Sequence, residues 1–91
     1  MAKRKDPTPD RIAAVLKGAL PVDTIVDVSP SGVRDNLHVL VVSRTLPKTE
    51  PQKQKYLWDL LQSAVKAGKL DESELTRVSL VLPIAVSELR R

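Results

Sequence analysis

The segment Leu37-His38-Val39-Leu40-Val41-Val42-Ser43 carries apolar side chains at both odd and even positions. Successive side chains of an extended chain point to opposite faces, so a strand apolar on both parities is expected at the centre of a sheet. Just upstream, Val22 to Ser29 alternates instead. Val22, Thr24, Val26 and Val28 face one way, and Asp23, Ile25 and Asp27 face the other. That pattern predicts a second strand with one wet side, and a second sheet face made half polar by Asp23 and Asp27. Pro30-Ser31-Gly32 breaks the strand, and Val33 to Asn36 completes a loose connection, so the two strands are expected as an antiparallel hairpin.

Helical signals flank this pair. Thr8-Pro9-Asp10-Arg11 reads as a helix start, with Thr8 as cap, Pro9 at the first position and Asp10 complementing the dipole. Ile12, Val15, Leu16, Ala19 and Leu20 then form one apolar stripe before Pro21 ends the helix. A second helix opens at Thr49-Glu50-Pro51-Gln52, a capping-box spacing. Its buried stripe is Tyr56, Leu57, Leu60, Leu61, Ala64 and Val65, and Gly68 is its stop. Asp71-Glu72-Ser73-Glu74 is a second capping box opening a short turn through Leu75. Arg77 to Leu82 then reads as a third strand ending before Pro83, and Ser87-Glu88-Leu89 as a terminal turn.

The order α-β-β-α-α-β lets the second and third strands lie parallel through a right-handed crossover. The expected fold class is α/β in the two-layer α+β sense, a three-stranded mixed sheet with helices on one face. With 91 residues the chain suffices for one domain, placed at residues 8–91 behind a disordered basic tail at residues 1–7. No Phe is present and the only large rings are Tyr56 and Trp58, so the core must come from Val, Leu, Ile and Ala.

Composition excludes several chemistries. There is no cysteine, which removes disulfides, thiolate nucleophiles and cysteine-ligated metals from this chain. No P-loop, dinucleotide fingerprint or nucleophile elbow occurs. His38 is the single histidine, too little for a metal site and without a cysteine to activate. No enzymatic activity and no cofactor are therefore expected. No apolar run approaches the ~18 residues of a membrane span, and a soluble cytoplasmic protein, monomer or weak homodimer, is the expectation. The net charge of +4 draws on Lys3, Arg4, Lys5, Arg90 and Arg91, at the two ends.

The order of elements and several short stretches resemble the BolA-like family, whose fold is related to type II KH domains. Val26 to Ser29, V-D-V-S, is similar to the family's first strand, and Asn36 to Ser43, N-L-H-V-L-V-V-S, to its H-F-x-V-x-V-V-S second strand. Lys53 to Trp58, K-Q-K-Y-L-W, resembles R-H-R-x-V-Y at the start of the family's long helix, and Arg77 to Leu80 its H-A-L-S-L strand. The resemblance implies a partner of the monothiol glutaredoxin class sharing an iron–sulfur cluster. The family's ligand positions fall on Thr76, Asn36 and the loop P-S-G-V-R-D, which holds neither His nor Cys. The resemblance thus implies an interaction or regulatory module without cluster ligation. The G-x-x-G clamp of KH domains is absent, Gly18, Gly32 and Gly68 being the only glycines.

Two groups of residues are the candidate sites. Lys48, Lys53 and Lys55 surround the start of the second helix, where free N–H groups and cations favour an anion such as a nucleic-acid phosphate. Against that, Glu50 offsets part of the field and Lys55 can pair with Asp59 one turn on. His38, Tyr56 and Trp58 are the candidate partner-binding residues, with docking through a sheet edge or the Tyr56–Trp58 helix.

Overall fold

A computed structural model describes residues 7–86. The basic N-terminal run, the terminal turn at Ser87 to Leu89 and the closing arginines lie outside the described residues. The elements follow the expected order: α1 (Thr8–Ala19), β1 (Ile25–Pro30), β2 (Leu37–Ser43), α2 (Glu50–Lys66), α3 (Glu72–Thr76) and β3 (Val78–Ala85). β2 is central; β1 pairs with it antiparallel and β3 parallel. The result is a three-stranded mixed sheet in an α+β fold.

The core lies between the sheet and the two long helices. Leu37, Val39 and Val41 of β2 and Val78 and Val81 of β3 are buried against Ile12 and Leu16 of α1 and Leu57, Leu61 and Ala64 of α2. α1 packs on β1 and α2 on β3, with the helices touching each other. Burying a Leu, Ile or Val side chain contributes roughly 1.5–3 kcal/mol, so this aliphatic layer holds the two layers together without a large ring at its centre.

The helix punctuation is chemical. The Thr49 hydroxyl accepts from the Gln52 N–H at 3.4 Å, with Pro51 in the first turn of α2. Gly68 at φ +79° turns the chain after α2, and the N–H of Lys69 returns to the Ala64 carbonyl at 2.8 Å. Asp71 opens α3 through the capping box, its N–H donating to the Glu74 carboxylate at 2.9 Å.

Three local expectations are corrected. Thr8 is not the cap of α1: Pro7 occupies that position, and the buried Thr8 hydroxyl donates to Glu74 Oε2 at 3.1 Å, tying α1 to α3. Val22 is not in β1: Pro21 to Thr24 form a turn closed by the Thr24 N–H on the Pro21 carbonyl, leaving Val22 fully exposed. Pro83 does not end β3, which runs through it to Ala85. A proline is tolerated there because β3 is an edge strand, where a missing N–H need not break the ladder.

Candidate docking surface

The helices cover one face of the sheet, and among the described residues no element packs on the opposite, open face. The register aligns three rows on it. Ile25 pairs with Val42 and Val42 with Ile84; Asp27 with Leu40 and Leu40 with Leu82; Ser29 with His38 and His38 with Leu80. Six of the nine side chains are aliphatic. Ile25, Leu80 and Leu82 retain 58%, 47% and 48% of their surface. Val42 is buried yet outside the core cluster, because Ile25 and Ile84 flank it on this face.

The expectation of a half-polar second face through Asp23 and Asp27 is thereby corrected. Asp23 belongs to the turn before β1 and pairs with the Arg44 guanidinium at 2.8 Å. Of the nine aligned side chains, only Asp27, Ser29 and His38 are polar. Strand spacing near 4.8 Å and a rise near 3.4 Å give the nine residues a footprint of roughly 300–400 Å² with their side chains. The largest apolar patch on a typical monomer is of this size and is often functional.

The edge of β3 is less available. Gln54 Nε2 on α2 donates to the Val81 carbonyl at 2.6 Å, and Trp58 Nε1 donates to Gln54 Oε1 at 3.2 Å. A carbonyl answered by a side chain, followed two residues on by a proline without an N–H, is a poor template for another strand. Tyr56 and Trp58 are half-buried against the core rather than displayed. His38 lies on the open face, away from both.

Lys48 and Lys53 share one groove, and Lys55 lies outside it. Lys53 is 5% exposed, its ammonium 3.6 Å from Glu50 Oε1. With Arg44, Leu46, Pro47, Lys48 and Glu50 it lines a groove of about 380 Å³. Lys55 projects elsewhere and pairs with Asp59 at 2.9 Å, as its spacing suggested. The burial of Lys53 was legible as periodicity: it stands four and eight residues before Leu57 and Leu61, on the buried stripe.

The positions that the BolA resemblance assigns to cluster ligation do not fit an iron–sulfur group. Thr76 Oγ1 donates to the Ser73 carbonyl at 2.8 Å, and the Ser31 hydroxyl is engaged with Val33 inside the β1–β2 loop. Hydroxyl and amide oxygens are poor substitutes for thiolate or imidazole on iron. Among the described residues no group of three or more His, Cys, Asp or Glu side chains could hold a metal ion, and no helix is long and apolar enough to cross a membrane. Comparison with family models, with curated proteins and with solved structures gives no match.

Proposed function

We propose that this chain is a non-enzymatic interaction module that docks protein through the open face of its sheet. The observation that carries the reading is the aliphatic surface of Ile25, Leu40, Leu80, Leu82 and Ile84, left uncovered by helices that pack only on the other side. Water-exposed Leu side chains at this density are a standing cost that a partner removes. The BolA resemblance agrees in kind, as a protein-binding module whose cluster ligands are replaced by Thr76, Asn36 and a loop without His or Cys.

The competing reading is a KH-related nucleic-acid contact through Lys48, Lys53 and Lys55. It has less support, because Lys53 is buried beside Glu50 and Lys55 is paired with Asp59. The two readings separate by salt and by variant. Capture of protein by the tagged chain should survive nuclease and raised salt, and be lost with Leu82→Arg but not with Lys48→Ala. Binding that falls steeply with salt, and is lost with Lys48→Ala but kept with Leu82→Arg, would instead establish the phosphate-binding reading.

A further inference from the structure

We infer that the outer edge of β1 is a docking site of its own, which takes an extended segment of a partner protein as a fourth, antiparallel strand of the sheet. The inference goes beyond the open face, because it rests on backbone groups at the border of the sheet.

The register decides which backbone groups of β1 point outward. In an antiparallel pair, residues that bond their partner alternate with residues whose N–H and C=O point away from it. The Ser31 N–H donates to the Asn36 carbonyl at 2.9 Å, so Ile25, Asp27 and Ser29, of the same parity, bond to β2. The other parity agrees. Pro30, opposite Leu37, has no N–H to give, and the Leu37 N–H goes instead to the Arg77 carbonyl at 2.7 Å. The Thr24 N–H turns back to the Pro21 carbonyl at 2.9 Å, away from β2. Val26 and Val28 therefore direct both N–H and C=O outward, flanked by the Thr24 and Pro30 carbonyls. β1 is the edge of the sheet, and among the described residues only β2 pairs with it.

The two edges differ. The β3 edge is answered by Gln54 and interrupted by Pro83. β1 carries no lysine, bulge or interior proline to blunt it. A second copy is a poor occupant. Thr24 has spent its N–H and Pro30 has none, so the two-fold pairing that answers every outward group of Val26 and Val28 sets each against the other. That register places the two Asp27 carboxylates directly opposite, which is destabilising. A segment of another protein is free of this constraint. Its residue opposite Asp27 lies on the open face, where a Lys or Arg pairs with the carboxylate. Its residues opposite Val26 and Val28 point to the helical side, where both valines pack partly buried against the core, and apolar side chains fit there. The partner is thus an extended segment of apolar–basic–apolar alternation.

The probe is the acetylated, amidated peptide S-T-V-K-V-I-T, titrated into the isotope-labelled full chain. The expected result is saturable NMR shifts centred on β1, with hydrogen exchange of the Val26 and Val28 amides slowed about ten-fold or more. N-methylation of the first peptide valine, which faces Val28, should raise Kd about ten-fold or more. Lys→Glu in the peptide should raise it about five-fold, and Asp27→Lys in the chain should reverse that preference. Val28→Pro removes an outward N–H while sparing the bonds to β2, and should lose binding with its circular dichroism unchanged. The N-methylated peptide needs no change in the chain, so it decides even where Val28→Pro does not fold. No saturable binding at about 1 mM peptide, indifference to N-methylation, or shifts centred away from β1 would overturn the inference. Protection of Val26 and Val28 that grows with the concentration of the chain alone would make a second copy the occupant and overturn it too. If the peptide does not bind while protein capture is lost with Leu82→Arg, the edge inference fails and the open-face reading stands.

Discussion

Lys53 illustrates how position on a helix decides what a charge can do. Its spacing from Leu57 and Leu61 puts its methylene stem on the buried face of α2, and its ammonium lies against Glu50 at the groove. A lysine held this way contributes packing through its stem as well as charge. Lys53→Ala should therefore lower stability by about 1–2 kcal/mol in urea unfolding, whereas exposed Lys48→Ala should stay within about 0.5 kcal/mol. Equal small effects would show that Lys53 is a surface cation after all. At this scale the sequence displays which residues are basic and that Lys55 can reach Asp59. Lys53 is misread when it is grouped with its charged neighbours instead of with the apolar stripe it precedes.

Among the elements, the short α3 is tied to the start of α1 through one carboxylate. Glu74 is buried, accepts from the Asp71 N–H and the Thr8 hydroxyl, and lies 3.3 Å from the Arg11 guanidinium. Arg11 in turn donates to the Lys69 carbonyl at 3.0 Å, so the start of α1 clasps the segment between α2 and α3. Glu74→Ala removes the acceptor shared by these donors and should cost about 2 kcal/mol in chemical denaturation. A cost below about 0.5 kcal/mol would mean that α3 is docked by its apolar contacts alone.

Local signals made most elements readable in advance. The Thr49 and Asp71 caps, the Gly68 stop and the two-parity pattern of β2 are short-range chemistry and stand where they were expected. Two of the three failures are tertiary. Thr8 has the look of a cap, but a buried carboxylate 66 residues away engages its hydroxyl. Pro83 has the look of a strand end, but strand order makes β3 an edge. Val22 continues the alternation of β1, yet the Pro21 turn removes it from the strand. The first two outcomes cannot be read from a window of neighbouring residues, whereas the third is a four-residue turn closed by the Thr24 N–H on the Pro21 carbonyl.

At the level of the whole molecule, the asymmetry of two layers is the main fact. Both long helices cover the same face of the sheet, so the apolar parity of β2 that points away from them has no helix to meet. The sequence shows that β2 is apolar on both sides. Whether the second side is covered depends on where the crossover carries α2 and on the turn that withdraws Asp23 from the strand. His38 was legible as a candidate through its isolation in an apolar segment. Its neighbours across the strands, Ser29 and Leu80, are fixed by register alone.

The most direct test of the uncovered face as the working surface is a methyl NMR titration of the chain with the protein it captures, read on Ile, Leu and Val groups. As that protein is added, the account predicts shifts at Ile25, Leu40, Val42, Leu80, Leu82 and Ile84, and none at Leu57 or Leu61. Shifts confined to the helical side around Val15 and Leu60 would contradict it.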